Sequence, residues 1–346
     1  MNVLVIGGAG FIGCHLAHRH LRRGDRVTVL DDLSRFGSSM NWDWLRTAGG
    51  DRVALVKTSI CDDSDDLRAA VRGADVVYHM AAQVAVTTSV TDPRHDFMVN
   101  ALGTFNVLEA ARTAGNNPIV FFASTNKVYG GMEGVAVVEQ NNRYAYRDFP
   151  QGISEEQTLD FHSPYGCSKG AADQYVRDYA RIYNLRTVVF RQSCIYGTRQ
   201  FGVEDQGWIA HFIIACKRGR PVTIYGDGKQ VRDILFIDDL CDAYDAARTR
   251  IDDAAGKIFN IGGGAENVLS LLELVALLEE RTGNRLSPQF GPVRPGDQPV
   301  YISDISKARS ELGWQPRIGA RDGVLRLAAW VDDHAALFDG LFGLQA

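Results

Sequence analysis

No CxxC pair occurs among the six cysteines, Cys14, Cys61, Cys167, Cys194, Cys216 and Cys241. Thiols scattered singly suit a reducing compartment and exclude a disulfide framework. The sequence also lacks any apolar run approaching the ~18 residues that a membrane span needs. Charge of one sign is not concentrated anywhere: 37 basic residues against 42 acidic ones give a net charge of −5. That balance excludes the basic footprint of a nucleic-acid-binding or membrane-surface protein. No segment recurs at solenoid spacing, and low-complexity linkers are missing. The apolar start has no basic leader and is broken by Gly7, Gly8, Gly10 and Gly13, so a secretory signal is not expected. A cytoplasmic protein is the expectation. With 45% apolar and 23% charged residues in 346, the chain can bury a core without staples.

What is present is a rhythm. Short apolar runs at 3–6, 27–30, 53–56, 76–79, 119–122 and 187–190 alternate with helix-periodic stretches at about 12–23, 65–71, 96–113 and 165–183. Repeated strand–helix–strand units predict an α/β fold, a doubly wound parallel sheet covered on both faces. The pattern loosens after about residue 195, with a returning strand at 257–261, an amphipathic helix at 269–280 and a Pro-rich stretch at 288–299. The expected division is a nucleotide-binding domain over 1–190, rejoined by about 231–262. A smaller substrate-binding domain would comprise 191–230 and 263–346.

Residues 7–13 read Gly-Gly-Ala-Gly-Phe-Ile-Gly, with Gly7, Gly10 and Gly13 between the first strand and the first helix. Glycines there let the chain turn sharply, bring backbone N–H groups against a pyrophosphate and let the helix pack closely on the sheet. The second strand ends at Asp31, followed by Asp32. A carboxylate in that place accepts hydrogen bonds from ribose hydroxyls and repels a 2′-phosphate. Arg35 could clamp such a phosphate but lies further from the strand end, so a Rossmann fold holding NAD is favoured over one holding NADP.

Tyr165 and Lys169 stand four residues apart on one face of a predicted helix. A free phenol titrates near ~10, and a neighbouring cation makes it a usable base. Lys169 offers that cation, with further donors for the nicotinamide ribose. The strand run 119–122 leads into Ala-Ser-Thr-Asn-Lys-Val-Tyr-Gly at 123–130, on the carboxyl edge where open α/β sheets put their ligands. There the Thr125 hydroxyl can bond a sugar oxygen passing between alcohol and ketone, or cap a turn.

With these motifs in this order, the sequence resembles the extended short-chain dehydrogenase/reductases, the nucleotide-sugar epimerases and dehydratases, from Met1 to about Ala335. Residues 124–130, 159–175, 202–208 and 229–233 carry the similarity, and they look most like the members that invert C2 of a CDP-linked 3,6-dideoxyhexose. The resemblance implies a nucleotide-diphosphate-sugar substrate, oxidised transiently to a keto sugar and reduced again on the opposite face by tightly retained cofactor. It makes Tyr165 the base, Lys169 its tuner and Thr125 the orienting hydroxyl. Around NAD it adds Phe11, Ile12, Ser59, Ile60 and Ala81 to Gly7, Gly10, Gly13, Asp31 and Asp32, with Ser59 where many relatives carry an adenine-contacting Asp. Asn126, Gln192 and Arg199 are carried over as substrate contacts. Arg232 and Arg294 match positions that grip the substrate diphosphate, a task suited to the planar guanidinium fork. Family members usually pair through the helix bearing Tyr165 and its neighbour at 96–113, so a homodimer or homotetramer is expected.

Asn126 and Lys127 follow Thr125 where the family's 4,6-dehydratases need an acid and a base, which disfavours water elimination. Other reactions on the same scaffold, 4-epimerisation or NAD(P)H-dependent reduction, stay open. A silent NAD sensor fits less well, given the full Thr125, Tyr165 and Lys169 set. The segment 140–162, with Tyr144, Tyr146 and Phe149, and Phe161 within it, either lines the sugar pocket or packs against the cap. No metal is expected: His15, His18 and His20 crowd one helix without an accompanying ligand set. The pairs Asp62/Asp63, Asp65/Asp66 and Asp238/Asp239 read as helix N-terminal caps.

Overall fold

The computed structural model describes residues 1–283, 286–294 and 297–341. Seven parallel strands form the central sheet in the spatial order Ile258–Ile261, Arg186–Gln192, Ile119–Thr125, Val76–His79, Asn2–Ile6, Arg26–Leu30, Val53–Val56. Side chains alternate between two cores: Val3 and Val5 lie on one face, Leu4 and Ile6 on the other, and Phe121 and Phe122 divide the same way. That is why the strands read as continuous apolar runs. The architecture is the doubly wound one that the rhythm implied. Strand order reverses between Asn2–Ile6 and Val76–His79, and a crevice opens there at the carboxyl ends.

Helix Phe11–Arg22 follows the glycine turn and packs on helix Ile237–Thr249, to which Arg19 and Arg23 are ion-paired through Asp242 and Asp245. Asp65 and Asp66 open helix Asp65–Arg72, and Asp238 and Asp239 open Ile237–Thr249, the end of a helix where carboxylates are favoured. The single helix expected at 96–113 is instead Pro93–Phe97, a wider π turn at Met98–Leu102, and Gly103–Thr113. Such turns recur where a side chain has a special task. Here buried Asn100 uses its amide to donate to Asp96 Oδ1 at 3.0 Å, the Gln83 carbonyl at 3.0 Å and Ser168 Oγ at 3.2 Å.

The last third builds a second layer around strand Val231–Phe236, which pairs with Cys194–Tyr196, Val268–Ser270 and Val300–Tyr301. A capping box of Ser270 and Glu273 starts helix Leu271–Thr282. The hairpin Val137–Gln140 and Arg143–Tyr146 resolves the open question about 140–162. Tyr146 is buried beside Tyr129 and Tyr301, and its hydroxyl donates to the Val300 carbonyl at 2.9 Å. The Phe161 ring lies so close to the helix Ser163–Tyr183 that a Cβ on Gly170 would fall 2.4 Å from it. Tyr146 thus packs the substrate-binding layer and Phe161 the helix Ser163–Tyr183, and none of these aromatics lines the cleft described below. Among the described residues no helix is long and apolar enough to cross a membrane.

Candidate active site

The glycine turn is dictated by close approach. Gly7 has φ +74°, and a Cβ there would meet the Ala81 nitrogen at 2.5 Å; one on Gly13 would lie 2.1 Å from the Gly7 carbonyl oxygen. Gly10 caps helix Phe11–Arg22 without a side-chain hydrogen bond, so the helix start turns backbone N–H groups toward the crevice. Asp31 braces this turn: its carboxylate accepts from the N–H groups of Ala9 at 3.0 Å and Leu33 at 2.9 Å. Burial raises the Asp31 carboxyl above its usual range, opposed by those two donors. Asp32 is exposed and accepts from Ser34. Ser59 Oγ accepts from the Cys61 N–H, and buried Ile60 packs on Gly103. The predicted cofactor residues thus gather at the carboxyl ends of adjacent strands, and a cradle closed to side chains, beside an uncapped helix start, fits a dinucleotide pyrophosphate.

At the reacting end, strand Ile119–Thr125 delivers Thr125, in register with Gln192, and the first turn of helix Ser163–Tyr183 delivers Tyr165. Thr125 and Tyr165 meet at the cleft wall. Burial pushes the phenol up to about 12; Thr125 opposes the shift and the charge of Asp96 adds to it. Lys169 donates from Nζ to the Ala123 carbonyl at 2.6 Å and stands 4.2 Å from the Phe122 ring centre. Burial pulls its ammonium down to about 7, against the pull of Asp173 and Asp96. Thr125 thus favours the phenolate, while Lys169 is anchored to the strand that carries Thr125.

Beneath these groups lies an ion pair that sequence reasoning missed. Asp173 accepts from Arg191 Nε and Nη2, both at 3.0 Å, and from Ser124 Oγ at 2.7 Å, all buried. The four-residue step from Lys169 to Asp173 on one helix was the available signal; its partner on the strand Arg186–Gln192 was not.

A cleft of about 410 Å³ runs from the glycine turn across the reacting end into the last third of the chain. It brings together Phe11, Ile12, Thr125, Asn126, Tyr165, Gln192, Arg232 and Arg294 of the predicted set. Gln192 donates to the Tyr244 hydroxyl at 2.7 Å, and Asn126 to Gln298 at 3.3 Å. Near Thr125, Arg232 pairs with Asp297 at 2.5 Å, and Lys127 adds a second cation. Burial pulls Lys127 down to about 8, with Arg232 lowering it further and Asp297 raising it. At the far end Arg294 lies 3.8 Å over the Tyr225 ring and pairs with Asp205 at 2.9 Å, while Glu204 accepts from the Tyr225 hydroxyl. In the motif around Arg294, Pro295 and Gly296 lie outside the described residues. Arg35 donates to Gln206 at 2.7 Å, joining the cofactor side to this loop.

Arg199, carried over as a substrate contact, lies outside the cleft's lining. Its guanidinium stacks 4.0 Å from the Trp44 ring centre and reaches Asn41. The stacking surface comes from helix Ser38–Gly49, which sequence periodicity does not reveal.

The GDP-mannose 4,6 dehydratase family model matches residues 4–327. The chain belongs to this family of extended short-chain dehydrogenase/reductases. The CDP-paratose 2-epimerase of Salmonella typhi is 44% identical over 336 residues, covering 95% of this chain and 99% of that one. Among solved structures, the UDP-glucuronic acid 4-epimerase of Bacillus cereus in complex with UDP-glucuronic acid and NAD superposes with a TM-score of 0.82 at 28% identity, covering 96% of this chain and 99% of that chain. The dTDP-glucose 4,6-dehydratase of Streptomyces venezuelae with NAD bound gives 0.83 at 29% identity, covering 99% and 100%. Within this family the Thr125 turn is the place to look for differences of chemistry, because Asn126 and Lys127 both line the cleft beside Tyr165.

Proposed function

We propose that the enzyme inverts C2 of a CDP-linked 3,6-dideoxyhexose, with NAD as its resident cofactor. The reading is carried by the meeting of Thr125 and Tyr165 at the cleft wall, flanked by Asn126 and Lys127 in place of an acid–base pair. Similarity over nearly the whole length to a CDP-paratose 2-epimerase supports the same choice. Gly7, Gly10, Phe11, Ile12, Gly13, Asp31, Ser59, Ile60 and Ala81 would hold NAD, with Asp32 at the rim and Tyr165 and Lys169 at its nicotinamide end. When bound, NAD supplies an acceptor that takes the hydride from the sugar carbon and returns it. Tyr165 removes the proton of the reacting hydroxyl as the carbon–hydrogen bond breaks, and gives it back when the keto sugar has turned its other face. Thr125 orients that hydroxyl, and the Lys169 ammonium favours the phenolate. Asn126 and Gln192 border the sugar; Arg232 and Arg294 serve the diphosphate by exchanging their carboxylate partners for phosphate oxygens.

The far end of the cleft, with two carboxylates around Arg294, suits a base carrying an exocyclic amine, since carboxylates only accept hydrogen bonds. Residues 1–190 with a returning stretch up to 262 form the cofactor side, and 191–230 with 263–346 the nucleotide-sugar side; strand Val231–Phe236, expected on the cofactor side, joins the second layer instead. Phe97, Phe105, Tyr175, Ile182 and Tyr183 are exposed on the helices around Tyr165, and two copies pairing there in a helix bundle would cover them. The dispersed thiols fit a cytoplasmic enzyme.

The deciding experiment incubates purified protein with CDP-paratose in deuterated water, without added cofactor, and follows C2 by NMR. Inversion with the C2 hydrogen unexchanged is expected. Consumption of added NAD(P)H in proportion to a reduced product, or interconversion of UDP-glucose and UDP-galactose in preference, would replace this reading.

A further inference from the structure

In a sugar nucleotide, only the anomeric carbon and one ester oxygen separate C2 from phosphorus, whereas C4 lies across the ring. A cleft that presents C2 to its base must therefore accept the sugar-proximal phosphate close to that base. A cation is then required at the reacting end.

The described charges along the cleft divide into two groups of opposite sign. Lys127 and Arg232 share Asp297 near Thr125, two cations with one carboxylate. Arg294 stands between Glu204 and Asp205 at the far end, one cation with two carboxylates. The first group favours a phosphate most strongly; at the second, Arg294 meets a phosphate oxygen only after giving up its carboxylates. Within the first group, Arg232 comes from the strand Val231–Phe236, but Lys127 belongs to the turn that carries Thr125 itself. Its backbone N–H donates to Thr125 Oγ1 at 3.2 Å, which fixes that turn, and its side chain lines the cleft. Burial there leaves its charge poorly screened, so an arriving phosphate gains more from it than from a surface lysine.

We propose that Lys127 is a specificity-determining residue: its ammonium receives the sugar-proximal phosphate beside Thr125 and thereby sets C2, not C4, over Tyr165. The assignment rests on the C2 reading above. The test compares CDP with CMP, which lacks that phosphate, in wild type, Lys127→Met and Lys127→Gln. Calorimetric dissociation constants are expected to weaken at least tenfold for CDP in both variants and to stay within twofold for CMP, with unchanged bound NAD and melting temperature as the check on folding. The KM for CDP-paratose should rise with CDP. CDP affinity within twofold of wild type in either well-folded variant overturns the proposal, as does equal weakening of CDP and CMP. Failure of the C2 reading is seen separately, as wild-type protein that leaves CDP-paratose unchanged.

Discussion

The two ends of the cleft are built differently. At the reacting end every group sits on a strand terminus or a helix turn, and the supporting pair Arg191 and Asp173 has side chains 3% and 0% exposed. At the far end, Arg294 and Asp205 sit on irregular segments with side chains 27% and 45% exposed. The contrast follows from what each end must do. A proton and a hydride move only when reacting atoms are held to a fraction of an ångström, whereas a nucleotide can be gripped by side chains that first hold one another. Buried pairs enforce geometry, and half-exposed pairs can be exchanged for a ligand at little cost.

The largest way to break the comparison is at Tyr165. Tyr165→Phe removes the proton acceptor and should lower turnover by about 10²–10⁴-fold while NAD content and fold are retained, as assayed by sugar interconversion and absorbance. Next comes a contrast of carboxylates. Asp173→Ala strands Arg191 in the core and should cost about 3–5 kcal/mol in urea unfolding. Asp205→Ala should cost about 1 kcal/mol or less. Equal losses would erase the distinction between the ends. Arg294→Ala should raise KM for the CDP-sugar about tenfold with kcat little changed, the signature of uniform binding.

The last test is one of pH. Burial holds the Lys169 ammonium down to about 7, below its unfolded value near ~10.4, so the folded state releases this proton first. The penalty for burying the charge is present at and below pH 7 and is relieved as pH rises toward the unfolded value. The stability of Lys169→Met relative to wild type should therefore fall between pH 7 and pH 9 in urea titrations. A flat difference would place that titration elsewhere.

The reacting end was legible in the sequence because local rules build it: an apolar strand ending in Thr125, and a helix whose four-residue step aligns Tyr165 with Lys169. The glycine turn was legible for the same reason. The far end was not, since Glu204, Asp205, Tyr225 and Arg294 meet only after three segments distant in sequence have folded together. The setting of Arg199 was not legible, because its guanidinium stacks on a ring from an unforeseen helix. Helix Trp208–Lys217 escaped notice because it is apolar on nearly every side, which leaves no face for periodicity to reveal. Lys127 was visible only as a residue that is not an acid; its setting depends on Arg232 and Asp297, each more than a hundred positions away.

One rod of 21 residues, Ser163–Tyr183, shows chemistry to the interior and grease to the outside. Its inner anchors, the Ala123 carbonyl, Ser124 and Arg191, all belong to its own polypeptide. Were two copies to pair over Tyr175, Ile182 and Tyr183, as proposed above, parting them would unfasten none of these anchors, so each subunit would keep a complete workshop.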